Sequence, residues 1–133
     1  MAGKHGDDAD NRALDIFYGS QAVDALLYLG LYTDSSEPAD GAALTDLTEP
    51  VGGGYARITL TRGTSWTVLV DLAYTAVQTF TSSGAAWGNV YGYFVATSAD
   101  NSGIIWLLEH FSDGPYNNID GGQISVQVRD NAA

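Results

Sequence analysis

Strict alternation of apolar and polar residues is the feature that most constrains this chain. Residues 55–62 set Ala56, Ile58 and Leu60 on one side and Tyr55, Arg57 and Thr59 on the other. Residues 65–71 repeat the period with Trp66, Val68 and Val70, read as inward-facing. Residues 123–129 do so with Ile124, Val126 and Val128 against Gln123, Ser125 and Gln127. A period of two is the signature of a half-buried β-strand, since successive side chains point to opposite faces. Further strands are predicted over 25–32, 76–82 (around Phe80), 88–97 and 104–111. The segments 25–32 and 104–111 are apolar on both faces, as central strands are. Turn signals separate the strands: Arg62-Gly63-Thr64, residues 83–86, the polar loop 98–103 and Asp113-Gly114-Pro115-Tyr116. About seven closely spaced strands of this kind predict an all-β domain, an antiparallel β-sandwich of jelly-roll or immunoglobulin-like type.

Outside the strands the pattern changes. Residues 1–12 are polar and acidic, and read as an extended N-terminal arm with nothing to bury. They do not resemble a secretory signal. Residues 13–23 predict a short helix, with Leu14, Ile16 and Phe17 as its apolar stripe and Gly19 as its stop. Residues 33–50 form a long acidic loop, a length that is often functional in a compact domain. A chain of 133 residues fits one domain, here an arm over 1–12 and a β-sandwich over 13–133.

Composition narrows the partners. Five Lys and Arg stand against 16 Asp and Glu, a formal charge of −11. Nucleic acid is therefore not an expected partner, because phosphate binding needs a basic footprint. The acidity fits either a salty environment or a plain acidic surface. No apolar run reaches the ~20 residues of a membrane-spanning helix. With no cysteine, disulfides and thiolate chemistry are excluded.

No chemical motif stands out. The histidines are His5, in the arm, and His110, beside Glu109; no nucleophile turn accompanies them. His110 reads as a structural residue, and the chain as a non-enzyme. Loop carboxylates read as solvated rather than as a glycosidase pair. The segment 113–122 offers oxygen ligands, with Asp113, Asn117 and Asp120 as weak calcium candidates, but its spacing is not that of an EF-hand. A polar turn is the simpler reading, so neither metal nor cofactor is expected. Gly52-Gly53-Gly54 lacks the Gly-Lys-Ser/Thr ending of a phosphate loop. Trp87, Tyr91, Tyr93 and Trp106 suit a core or subunit interface better than a sugar platform. Arg57 reads as a surface pair or an intersubunit bridge. Tyr55 and Arg57 join these four aromatics as interface candidates.

Several short stretches carry a resemblance. They are Leu29-Gly30-Leu31-Tyr32-Thr33, the acidic Pro-containing loop, Glu49 with Gly52-Gly53-Gly54-Tyr55-Ala56-Arg57, Thr79-Phe80-Thr81, Ala86-Trp87-Gly88-Asn89-Val90-Tyr91-Gly92-Tyr93-Phe94, and the hairpin strand 104–107. In this order they resemble a family of small tailed-bacteriophage structural proteins, labelled tail-fibre-like, with similar β-proteins that decorate capsids. The resemblance covers residues 12–129. The chain departs from it in a longer acidic arm, extra aromatics, and Gly121-Gly122 where Gly-Asp is expected. The resemblance implies a non-enzymatic virion protein, and no catalytic residues carry over. The leading expectation is a capsid decoration or cement protein that binds the major capsid protein or other virion proteins. It is expected to assemble as a homo-oligomer, with a trimer as one option, and the arm to thread across a neighbouring subunit. The alternatives are a tail, tail-fibre or adaptor component, and a glycan-binding host-recognition module.

Overall fold

The computed structural model describes residues 3–131. It is mostly β, with eleven strands in antiparallel sheets and one short α-helix. The helix α1 spans Asp7–Tyr18. The strands are β1 (Leu26–Tyr32), β2 (Ile58–Thr61), β3 (Trp66–Leu69), β4 (Leu72–Thr75), β5 (Gln78–Thr81), β6 (Gly88–Val90), β7 (Gly92–Ala96), β8 (Ile105–His110), β9 (Tyr116–Asn118), β10 (Gln123–Val126) and β11 (Arg129–Asn131). The largest sheet runs β2-β1-β7-β8; smaller ones run β11-β4-β3, β10-β5 and β6-β9.

The expected strand over 88–97 divides at Tyr91. Its N–H donates to the Tyr32 carbonyl and its own carbonyl accepts from Phe111, so β6 pairs with β9 while β7 enters the large sheet. Strands β9 and β11 escape the sequence reading because three residues are too few to show a period. The expected strand over 65–71 is half of a hairpin. β3 and β4 pair Leu69 with Leu72 across a two-residue loop, Val70-Asp71.

Both faces of the large sheet are covered. On one face Leu29, Leu31, Tyr93, Val95 and Leu107 pack with Phe80, Ile124 and Val126 of the β5–β10 pair, and with Trp87, Val90 and Val128. On the other, Tyr32, Phe94, Ala96, Ile105 and Leu108 pack with Leu44. Leu44 sits in a 3-10 turn of the long acidic loop, which is thus the sheet's cover. Each large apolar side chain so buried stabilises the fold by roughly 1.5–3 kcal/mol. Two-sided burial explains why β1 and β7 carry almost no polar residues.

The N-terminal reading needs two corrections. Residues 3–6 are not a free arm, and the helix begins at Asp7 rather than residue 13. Gly3 donates to the Arg129 carbonyl, while Lys4 exchanges both backbone bonds with Leu108 on the edge of β8. The Lys4 ammonium meets Glu37 at 3.2 Å and Asp40 at 3.0 Å. A polar segment is thus held by its backbone and its charges, which composition does not report. Asp7, Asp8 and Asp10 lie in the first helical turn, where the helix dipole favours negative charge. The helix docks on β8, and Ala9, Arg12, Ala13 and Ile16, spaced as one face, are its less exposed residues. Its expected stripe partner residues Leu14 and Phe17 are exposed instead.

Candidate interaction surface

The most specific motif residues of the sequence meet in one buried corner. Arg57 is not at the surface; its side chain is 5% exposed. Its Nε and Nη2 donate to the two oxygens of Glu49, at 3.0 and 2.9 Å. Its remaining N–H groups reach the carbonyls of Ser98 and Asp100 and the Asn101 side chain, pinning the β7–β8 loop. The guanidinium also lies 5.0 Å from the centre of the Phe94 ring. Tyr55 completes the corner: its hydroxyl donates to Glu49 at 2.6 Å and accepts the Leu31 N–H at 3.0 Å. Burial, then the bond to Glu49, pushes this phenol well above its ordinary range. The expected bridge from Arg57 to another chain is therefore made within the chain.

The glycines serve the same corner. Gly52, Gly53 and Gly54 all have positive φ, a conformation other L-residues adopt at a cost. A Cβ on Gly53 would lie 2.6 Å from the Ala85 carbonyl oxygen and 2.8 Å from the Trp87 indole nitrogen. That nitrogen donates to the Gly52 carbonyl at 2.9 Å. The triple glycine is thus a wrap around Trp87.

The other interface candidates divide. Trp87 and Tyr93 are buried in the core, which leaves them no face for a partner. Tyr91 is half-buried and stacks on His110 at 6.0 Å. His110 also stacks on Tyr32 and bonds its hydroxyl at 2.8 Å, so this imidazole joins a structural aromatic group. Trp106 is different. Val95 pairs with Leu107 and Ala96 with Ile105, so Trp106 is the extra residue of a β-bulge. A bulge re-aims a side chain, and here Trp106 lines an open groove with Trp66, Ile16, Val23 and Leu27.

This groove, about 170 Å³ in volume, is lined mainly by apolar side chains. Its charged lining residues are Asp24, which accepts from Arg12 at 3.2 Å, and Arg62. Arg62 is exposed and has no carboxylate partner among the described residues. Two apolar surfaces stand elsewhere. Phe17 and Tyr18 on the outer face of α1 are 82% and 86% exposed, with Leu14 beside them. On the β3–β4 hairpin, Val68 is 75% and Val70 90% exposed, and Leu69 is also outside. Val68 and Val70, read from the sequence as inward-facing, point to solvent because no described residue covers this end of the hairpin. The sequence carried a signal for both surfaces in its apolar residues, but periodicity names a face without saying what covers it.

The remaining candidates are dispersed. Asp113 accepts the Tyr116 hydroxyl, and Asp120 accepts the Gly84 N–H at 2.8 Å. Asn117 is exposed in β9, paired across from Asn89. Among the described residues no three His, Cys, Asp or Glu side chains group to hold a metal ion. His5 binds Asp130 at 3.0 Å and lies 5.5 Å from the Trp106 ring. The Asp130 bond, aided by the nearby carboxylates Asp130 and Asp10, raises its pKa above the ordinary histidine value.

Compared with protein-family models and with curated proteins, the chain matches none.

Proposed function

We propose that this protein is a non-enzymatic structural component of a tailed-bacteriophage virion, acting as a decoration or cement protein bound to shell subunits. The observation that carries an assembly role is the apolar surface left open on a chain of charge −11. Exposed apolar residues grouped in this way mark surfaces that bind other proteins. The placement on a virion rests on the resemblance of Glu49, Gly52-Gly53-Gly54-Tyr55-Ala56-Arg57 and Ala86-Trp87-Gly88 to the phage family. The finer fold belongs to the same reading: the large sheet and the β5–β10 pair face each other through shared core residues, in the manner of a sandwich. A cement protein adds buried area between shell subunits, and contacts repeated around a shell act together against internal pressure. In this reading the Phe17–Tyr18 surface meets the shell, while the N-terminal segment, tied to β8, braces its own domain.

The test is copy number in purified particles, by quantitative mass spectrometry against the major shell protein. A ratio near that of the shell subunit is expected. A far smaller ratio moves the protein to the tail or fibre. Absence from particles overturns the virion reading.

A further inference from the structure

We propose that the tip of the β3–β4 hairpin of one copy docks into the Trp66–Trp106 groove of a second copy, with Val70 in the groove and Asp71 paired with Arg62. Val70 occupies a hairpin loop position, where polar turn residues are usual, and it is 90% exposed. The groove is about 170 Å³ and lined by Ile16, Val23, Leu27, Trp66 and Trp106. An apolar cavity of about 150 Å³ accepts a benzene ring, so this space takes one or two aliphatic side chains.

Tip and groove also carry complementary charges. Two copies at −11 each repel, so contact between them needs a local attraction. Arg62 supplies the cation: it lines the groove and has no carboxylate partner among the described residues. Asp71 supplies the anion. It follows Val70 directly, is exposed, and has no ion-pair partner among the described residues. The imidazole of His5, which lines the same hollow as Asp71, is bound to Asp130 instead. The tip and the groove therefore each present an apolar surface beside one unsatisfied charge, of opposite sign.

The docking is between copies. At about 3.3 Å per residue, the four residues from Trp66 to Val70 carry the tip roughly 13 Å away from the groove its own hairpin lines. Tip and groove are distinct surfaces, so two copies meet either reciprocally in a two-fold dimer or head-to-tail in a ring or chain. This goes beyond the proposed function, naming a contact for the homo-oligomer expected from the resemblance, and does not depend on the virion placement.

The test is sedimentation equilibrium of the purified protein from low to high micromolar concentration. Wild type is expected to exceed the 14.0 kDa monomer mass increasingly with concentration. Val70→Asp and Arg62→Asp are each expected to weaken association at least tenfold. The charge exchange Arg62→Asp with Asp71→Arg is expected to restore it over Arg62→Asp alone. Urea midpoints equal to wild type, at a concentration where wild type is monomeric, establish that each variant is folded. A wild type that stays monomeric overturns the docking. So does association that survives both single variants, or a charge exchange that restores nothing. A monomer leaves the copy-number result untouched, which separates failure of this contact from failure of the virion reading.

Discussion

The Glu49–Tyr55–Arg57 corner and the β3–β4 hairpin invert the usual rule of polar outside and apolar inside. In the corner, an ion pair and a phenol are enclosed, and every polar group named there has a partner. In the hairpin, three consecutive apolar residues, Val68, Leu69 and Val70, stand in solvent. The difference teaches what each region is for. A buried charge pair is costly to desolvate and is retained where it fixes a geometry; here it fastens the 98–101 loop and the end of β1 around one carboxylate. An exposed apolar tip adds nothing to the isolated fold and gains only when another surface covers it.

Substitutions sharpen this contrast, and the largest effect belongs to the corner. Arg57→Ala leaves Glu49 largely enclosed without its counter-ion, and is expected to cost about 3 kcal/mol in urea denaturation. Arg57→Lys keeps the charge but not the two-pronged geometry, and is expected to fall between. A loss below about 0.5 kcal/mol for Arg57→Ala, the size of a surface change, would make the corner incidental. Next comes Gly53→Ala, where positive φ and the close Ala85 carbonyl act together. A cost of about 2 kcal/mol is expected, with a shift in Trp87 fluorescence as its local signature.

A smaller effect follows pH. The folded-state pKa of His5 is raised above its unfolded value near 6.5 by the Asp130 bond. Its contribution is then fully present below the unfolded value and is lost as pH rises through the folded one. The stability difference between wild type and His5→Ala is expected to be about 1 kcal/mol in acid, below the value for a buried charge-assisted bond because the pair is partly exposed, and to shrink toward pH 8. A difference that grows with pH contradicts the assignment. The smallest change is Val70→Asp, which is expected to alter monomer stability by less than about 0.5 kcal/mol.

Much of the sheet was legible in the alternation of residues 58–61 and 123–128, because one face of each is buried against a partner; at 55–57 the alternation misled, since Ala56 is exposed and the Arg57 side chain is enclosed. The alternation at 65–71 identified a strand but assigned Val68 and Val70 to the core. Period two gives two faces and leaves open which is covered. The bulge at Trp106 was hidden because residues 104–111 are apolar on both faces, so an extra residue leaves no mark in the pattern. The N-terminal segment was misread for a different reason. Lys4 and Gly3 are held by backbone hydrogen bonds and ion pairs, and hydropathy does not register either. Tyr55 and Arg57 were read as interface candidates, whereas both bond Glu49 within the chain, across a glycine turn whose shape the sequence only hints at.

The most direct test of the contrast is urea denaturation of Arg57→Ala and Val70→Asp side by side, at a concentration low enough to keep both monomeric. The account predicts a loss of about 3 kcal/mol for the first and an unchanged midpoint for the second. Equal losses would contradict it, since the hairpin tip would then be part of the core and not a surface awaiting a partner.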